Sequence, residues 1–326
     1  MKQNYQIFTA ALLASVSLAA AAQARTVSDE QMLDALQAVQ AQRSTAMQRY
    51  AGERLQAIWN PQVQHSDVDW WLRSFGEWES YGDDAVSGKS RSVAAGMDMN
   101  TGKETRTGIY GMYNHTELNG GAAEALQQDW RIGAYMGKQH GAVQQYGYVN
   151  YGKLGNHYNW DPWNDNKYRG QIVELGGEYK YDLHHDDGKT YHVSPYVNMQ
   201  ASRYMQKSYR EAYMGHVLVH NAINNNYLAG ETGVELRREL QNGNYAVRLG
   251  YKRVFAGEAP VYGSTLEGHP EAVQRYSYDI DKDYLHLTLS GTLKLTKNLS
   301  ATAEGAWLEG EHDRELKADV KLNWAF

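Results

Sequence analysis

Five glutamates pose the first chemical question. Glu174 and Glu178 are four residues apart, as are Glu231 and Glu235, and Glu304 follows alone. Each falls on the polar side of a segment in which polar and apolar residues alternate, so within one extended segment they share a face. Carboxylates confined away from bulk water need cations beside them. Two sets of cations qualify: Arg43, Arg49 and Arg54 in an N-terminal helical stretch, or Arg131, Arg248 and Lys252 on alternating segments like their own. Arg43 and Arg54 are eleven residues apart and share a helix face, with Arg49 turned away. The residues leave both pairings open.

Other constellations carry less. His184, His185, Asp186 and Asp187 fall in a short turn, where successive side chains point in opposite directions, so they read as a solvated turn and not as a metal site. Asp83 and Asp84 with His216, His220 or His269 are candidates for an aspartate and histidine protease site, but no spacing fixes them relative to one another. There is no nucleophile elbow, phosphate loop or Cys-His arrangement, and cysteine is absent altogether. The expectation is a chain that is not an enzyme and takes no metal or cofactor.

The elements that position these residues begin after a leader. Lys2, an apolar run from Ile7 to Ala22, and the small-x-small triplet Ala22-Gln23-Ala24 mark residues 1–24 as a secretory signal peptide. Lys2 is its single charge, so the remainder has 32 − 1 = 31 basic and 38 acidic groups, a formal charge of −7, which argues against nucleic-acid binding. Mean hydropathy is −0.67 and no long apolar stretch follows, which excludes a helical membrane protein. A transmembrane barrel escapes that test, because only alternate residues face lipid. The 31 glycines, 25 tyrosines and nine tryptophans suit many strands with aromatic girdles, although a soluble β-sandwich shares that composition.

Residues 25–67 read as a short N-terminal segment and a helix of about thirty residues, roughly 45 Å long at 1.5 Å per residue. Ser28 and Gln31 form its capping box. From Gln40 onward the apolar stripe fades into Gln42, Arg43, Ser44, Gln48, Arg49, Glu53 and Arg54, so the helix needs water or a polar tube around it.

From Val68 the period is two, and twelve strands are expected, over 68–81, 87–100, 105–115, 129–138, 142–155, 168–183, 191–207, 227–240, 245–256, 284–296, 299–309 and 316–326. Leu285, Leu287, Leu289, Leu293 and Leu295 share one face; Val173, Leu175, Tyr179 and Tyr181 oppose Glu174, Glu178 and Lys180. The fifth strand, with Gln145 and Tyr146, fits neither face cleanly. The connections run long and short in turn, which a membrane barrel produces because one rim carries short turns and the other long loops. The last strand places Leu316, Ala318, Val320, Leu322, Trp324 and Phe326 on an apolar side, and it must pair with the first strand around Trp70 to Trp78 to leave no open edge in lipid.

With these elements in place the chain resembles the translocator domain of autotransporters, the type V secretion family. The resemblance rests on Trp71-Leu-Arg-Ser-Phe-Gly76, Thr107-Gly-Ile-Tyr-Gly-Met-Tyr113, Gln145-Tyr-Gly-Tyr-Val-Asn-Tyr-Gly152, Ser194-Pro-Tyr196 and Leu322-Asn-Trp-Ala-Phe326, and it spans about residues 40 to 326. It implies an all-β, twelve-stranded antiparallel transmembrane barrel over 68–326, with an N-terminal α-helix in the pore. It also implies residence in the outer membrane of a Gram-negative bacterium, export of a passenger or its display, and no catalysis. Val320, Leu322, Trp324 and Phe326 would be the signal read by the barrel assembly machinery, after the export translocon and periplasmic chaperones deliver a chain that works as a monomer in outer-membrane lipid. Members that cut themselves do so between asparagines of the pore helix. Residues 29–59 contain none, so self-cleavage is not expected. Only Arg25 to about Gln40 is left for a passenger, which keeps open a surface barrel acting through its long loops, or a passive pore.

Overall fold

The computed structural model describes residues 67–81, 86–102, 104–120, 123–159, 166–184, 190–213, 216–257, 262–276, 281–311 and 314–325. The expected signal peptide, the pore helix with Arg43, Arg49 and Arg54, and Phe326 lie outside them. The strands in chain order are β1 (Val68–Tyr81), β2 (Val86–Gly102), β3 (Thr105–Gly120), β4 (Ala123–His140), β5 (Val143–Asn159), β6 (Asn166–Tyr181), β7 (Tyr191–Gln206), β8 (Tyr209–Tyr213), β9 (His216–His220), β10 (Ile223–Leu240), β11 (Gly243–Ala256), β12 (Tyr262–Leu266), β13 (His269–Tyr276), β14 (Asp283–Lys294), β15 (Leu299–Glu309) and β16 (Arg314–Ala325). Twelve of them close into one antiparallel barrel in the order β1-β16-β15-β14-β11-β10-β7-β6-β5-β4-β3-β2. Closure lets each strand hydrogen-bond to two neighbours and removes the edges that a bilayer would leave unsatisfied.

Two departures from the expected strands share a cause. The span 116–128 was expected as a long loop, whereas β3 and β4 continue through it, pairing from Thr105↔Lys138 to Gly120↔Ala123. At 16 and 18 residues they exceed the roughly 9–11 that cross a membrane, so each carries additional rungs beyond it. The connections 208–226 and 257–283 are likewise expected as long, irregular loops. They hold a second sheet, in the order β13-β12-β9-β8, in which Ser264 stands opposite His220 and Leu266 opposite Leu218. Runs of five residues such as Tyr209–Tyr213 and Tyr262–Leu266 are too short to show a period, and the pairing of β9 with β12 that joins the two hairpins runs between separate connections.

The rim holding Val68 and Ala325 carries the tighter turns, such as 141–142, where Gly141 sits at φ 53, a left-handed conformation that glycine adopts without steric cost. Around the wall every second residue points outward. Trp70, Leu72, Ile109, Trp130, Ile132, Met136, Val149, Leu175, Tyr179, Val197, Leu236, Leu249, Leu285, Leu322 and Trp324 are all exposed. Apolar exterior and polar interior invert the arrangement of a soluble protein.

Candidate functional site

The inner wall near the Val68 rim is built from glycine and aromatic pairs. In β3, Gly108 and Tyr110 point inward; in β4, Gly133 and Tyr135 do the same. The register sets Gly108 opposite Tyr135 and Tyr110 opposite Gly133. Each ring lies flat on the glycine across from it, so closely that a Cβ on Gly108 would stand 2.3 Å from the Tyr135 ring and one on Gly133 2.5 Å from Tyr110. Trp71 lies on Gly96 in the same way. These rings pack with Phe75, Ala94, Met112 and Tyr148 into one buried cluster. The glycine-aromatic spacing of the sequence is therefore a packing code between adjacent strands.

Beside the cluster, buried charges are closed by short contacts. Arg106 on β3 bonds to the Asp98 carboxylate on β2 and reaches Asp69 on β1 at 2.7 Å. Tyr135 donates to the other Asp98 oxygen at 2.8 Å and accepts from the Trp71 indole N–H at 3.0 Å. This network joins the first four strands. It went unseen in the sequence, although the alternation that placed the glutamates also places Asp98 and Arg106 inward.

The five glutamates lie on the inward side of the closed wall. Glu174 is fully buried: Arg131 Nη1 donates to it at 2.9 Å, Tyr148 O–H at 2.9 Å and Gln200 Nε2 at 3.2 Å, while Arg131 Nε donates to Asp129 at 2.7 Å. Glu178 takes Arg248 Nη2 at 2.7 Å, and the guanidinium of Arg248 stacks 3.9 Å over the Tyr196 ring. Tyr196 O–H donates to Glu231 at 2.5 Å, whose other oxygen faces His286 Nδ1 at 3.1 Å. Glu235 takes Lys180 Nζ at 3.1 Å, and Glu304 is 3.6 Å from Lys321 Nζ. Of the pairings left open, wall-to-wall contacts with Arg131 and Arg248 are present. Lys252 lies over the Tyr284 ring at 5.6 Å. Lys180, Lys321 and His286 complete the set. His184 and His192 attach to Asp182, the first by its backbone N–H at 3.0 Å and the second by Nδ1 at 2.7 Å.

The closing seam pairs β1 with β16 from Trp71↔Ala325 to Tyr81↔Glu315, around the Trp70 to Trp78 stretch expected from the sequence. Arg73 bonds to Asn323 and Lys317 reaches Glu79 at 3.5 Å across it, so inward side chains hold the seam as well as its ladder. Leu322 and Trp324 face outward, each about half exposed at 47% and 48%, with Val320 on the same side and Lys321 buried on the other.

Above the belt, Tyr168 stacks on Tyr209 at 4.7 Å and Tyr209 on His220 at 4.3 Å, tying β6 to the second sheet. Burial pushes the Tyr168 phenol well above its ordinary range, with Tyr204 and Tyr209 adding to the effect.

A closed antiparallel barrel with an apolar belt outside and an ionic lining inside is a transmembrane β-barrel. Its family is defined by sequence: residues 70–306 match the autotransporter β-domain family, described as "Autotransporter beta-domain", and the chain belongs to it. Barrels of this family are outer-membrane translocators that secrete passenger domains or display them. The fold is similar to the translocator domain of the autotransporter NalP from Neisseria meningitidis, with a TM-score of 0.63 at 14% identity over 84% of this chain and 94% of that one. It is also similar to the β-domain of the Bordetella autotransporter BrkA (TM-score 0.59, 14% identity, 80% and 100% covered) and to the transport unit of AIDA-I from Escherichia coli (0.56, 13%, 85% and 97%). No curated protein matches it in sequence.

Proposed function

We propose that the barrel sits as a monomer in the outer membrane of a Gram-negative bacterium and serves to display or export polypeptide that passes along its lumen, without catalysis of its own. The observation that carries this reading is the inner wall. Its glutamates have cations of the wall beside them, so the lining is polar and charge-compensated, and a polar segment inside it meets no stranded buried charge. Residues 25–67, with Arg43, Arg49 and Arg54, are that segment in this proposal, delivered after removal of a signal peptide over 1–24 by way of the export translocon and periplasmic chaperones. Val320, Leu322, Trp324 and Phe326 are proposed as the strand read by the barrel assembly machinery.

Because the chain has no cysteine, a single Ser28→Cys variant gives an unambiguous reporter. A membrane-impermeant maleimide should label it on intact cells. Labelling only after the outer membrane is permeabilised would overturn the outward path.

A further inference from the structure

The outward wall of β5, β6 and β7 changes character along its length. Near the Val68 rim it carries Tyr179, Tyr181, Leu183 and Tyr191, all exposed. Past Val149, Val173 and Val197 toward the far rim it carries Lys153 on β5, Arg169 on β6 and Arg203 on β7, with Lys207 exposed just beyond the end of β7. Lys153 pairs with Gln171, and Gly155 with Arg169. Gly170 stands opposite Gln206, which puts Arg169 and Lys207 at the next rung. Arg203 is opposite Val173 and donates to Asn224 at 2.9 Å. Among the described outward residues of these three strands there is no Asp or Glu. Like charges on neighbouring rungs repel, so the arrangement costs stability unless an anion lies against it. Among the described residues, the aromatic edge at the other rim of the same strands lacks such a cluster.

The geometry points to a lateral site for phosphate-bearing lipid head groups of the outer leaflet. We infer that Lys153, Arg169, Arg203 and Lys207 hold the phosphates while their aliphatic stems lie along the belt. The position favours lipid over a soluble anion: the cations face sideways, at the edge of the apolar belt where head groups begin, and not up from the loop tips. Long basic side chains snorkel in this way, and clusters of them bind anionic head groups. The inference rests on the outer-membrane reading above.

The test uses the full mature chain in nonionic micelles, with lipid retention read by native mass spectrometry for dioleoyl phosphatidate and dioleoyl phosphatidylcholine. The wild type should retain phosphatidate preferentially. The combined Lys153→Gln, Arg169→Gln, Arg203→Gln and Lys207→Gln variant should lose that preference by roughly tenfold or more. A control carrying Lys138→Gln, Arg238→Gln and Lys297→Gln, exposed at the opposite rim, should keep it. Equal loss in both variants, or none in the first, would overturn the site. Displacement of the lipid by equimolar glycerol phosphate would overturn the lateral assignment in favour of a soluble anion. Heat-modifiable migration on gels separates the two readings: its loss in the wild type indicts the barrel, whereas its presence with unselective retention indicts the lipid site alone.

Discussion

Arg131 is the residue whose removal should be most costly. Its guanidinium serves two carboxylates with no solvent exposure, Asp129 at 2.7 Å and Glu174 at 2.9 Å. Arg131→Met keeps the volume and strands both anions, at a cost of roughly 3–5 kcal/mol. Tryptophan fluorescence during urea unfolding in micelles should show the fall, and adding Asp129→Asn and Glu174→Gln should restore most of it. A triple variant as unstable as the single would refute the electrostatic account. A steric prediction concerns Gly133, where a side chain must displace the Tyr110 ring: Gly133→Val should cost roughly 1–3 kcal/mol by overpacking, and it should alter the near-ultraviolet circular dichroism of the aromatic cluster. At this scale the sequence placed Glu174, Glu178, Glu231 and Glu235 on polar faces, because the period of two is local. Their partners were harder to read: Lys180 and Glu235 are 55 residues apart and Glu178 and Arg248 are 70 apart. Such pairs follow from inter-strand register, which no local pattern encodes.

Strands differ in how plainly they announce themselves. β14 alternates plainly, with Leu285, Leu287 and Leu289 against His286, Thr288 and Ser290, and β6 does so from Val173 to Tyr181, as does β10 around Glu231, Val234, Glu235 and Leu236. β5 is obscure because tyrosine serves both sides: Tyr146 and Tyr148 point inward and Tyr151 outward, and glycines occupy outward positions as well as inward ones. The second sheet was hidden for a different reason, since β9 and β12 come from separate connections and pair only in three dimensions. Its attachment makes a pH prediction. The Tyr168 phenol stays protonated in the folded state above the ordinary value of 10.0, while an unfolded chain releases that proton. The unfolded state then binds fewer protons, so stability is intact below about pH 10 and falls as pH rises beyond it. Hydrogen exchange is too fast to follow there, so limited proteolysis of 207–222 is the measurement: cleavage should rise above pH 10 in the wild type and less steeply in Tyr168→Phe. At the closing strand, Phe326→Ala should lower outer-membrane levels, read by fractionation and immunoblot. Normal levels would tell against the proposed assembly role of Val320, Leu322, Trp324 and Phe326.

For the molecule as a whole, closure and lining have different consequences. Closure by the seam, from Trp71↔Ala325 to Tyr81↔Glu315, makes the barrel one continuous hydrogen-bonded ring with no open strand edge. The lining, with Arg131, Lys180, Arg248 and Lys321 beside acidic groups, is compensated within the wall and suits water as readily as a polar polypeptide. Deleting residues 25–59 should therefore leave the barrel folded and heat-modifiable while opening its lumen. In planar bilayers the intact chain should conduct weakly and the shortened one several-fold more, with steady currents. A wild type that already conducts like the shortened chain would identify a passive pore. A shortened chain that no longer folds would instead make the N-terminal segment part of the structural core. If conductance rises as expected, adding back a synthetic peptide of residues 25–59 should block it, because the proposed pore segment is polar and the lining it would meet is charge-compensated.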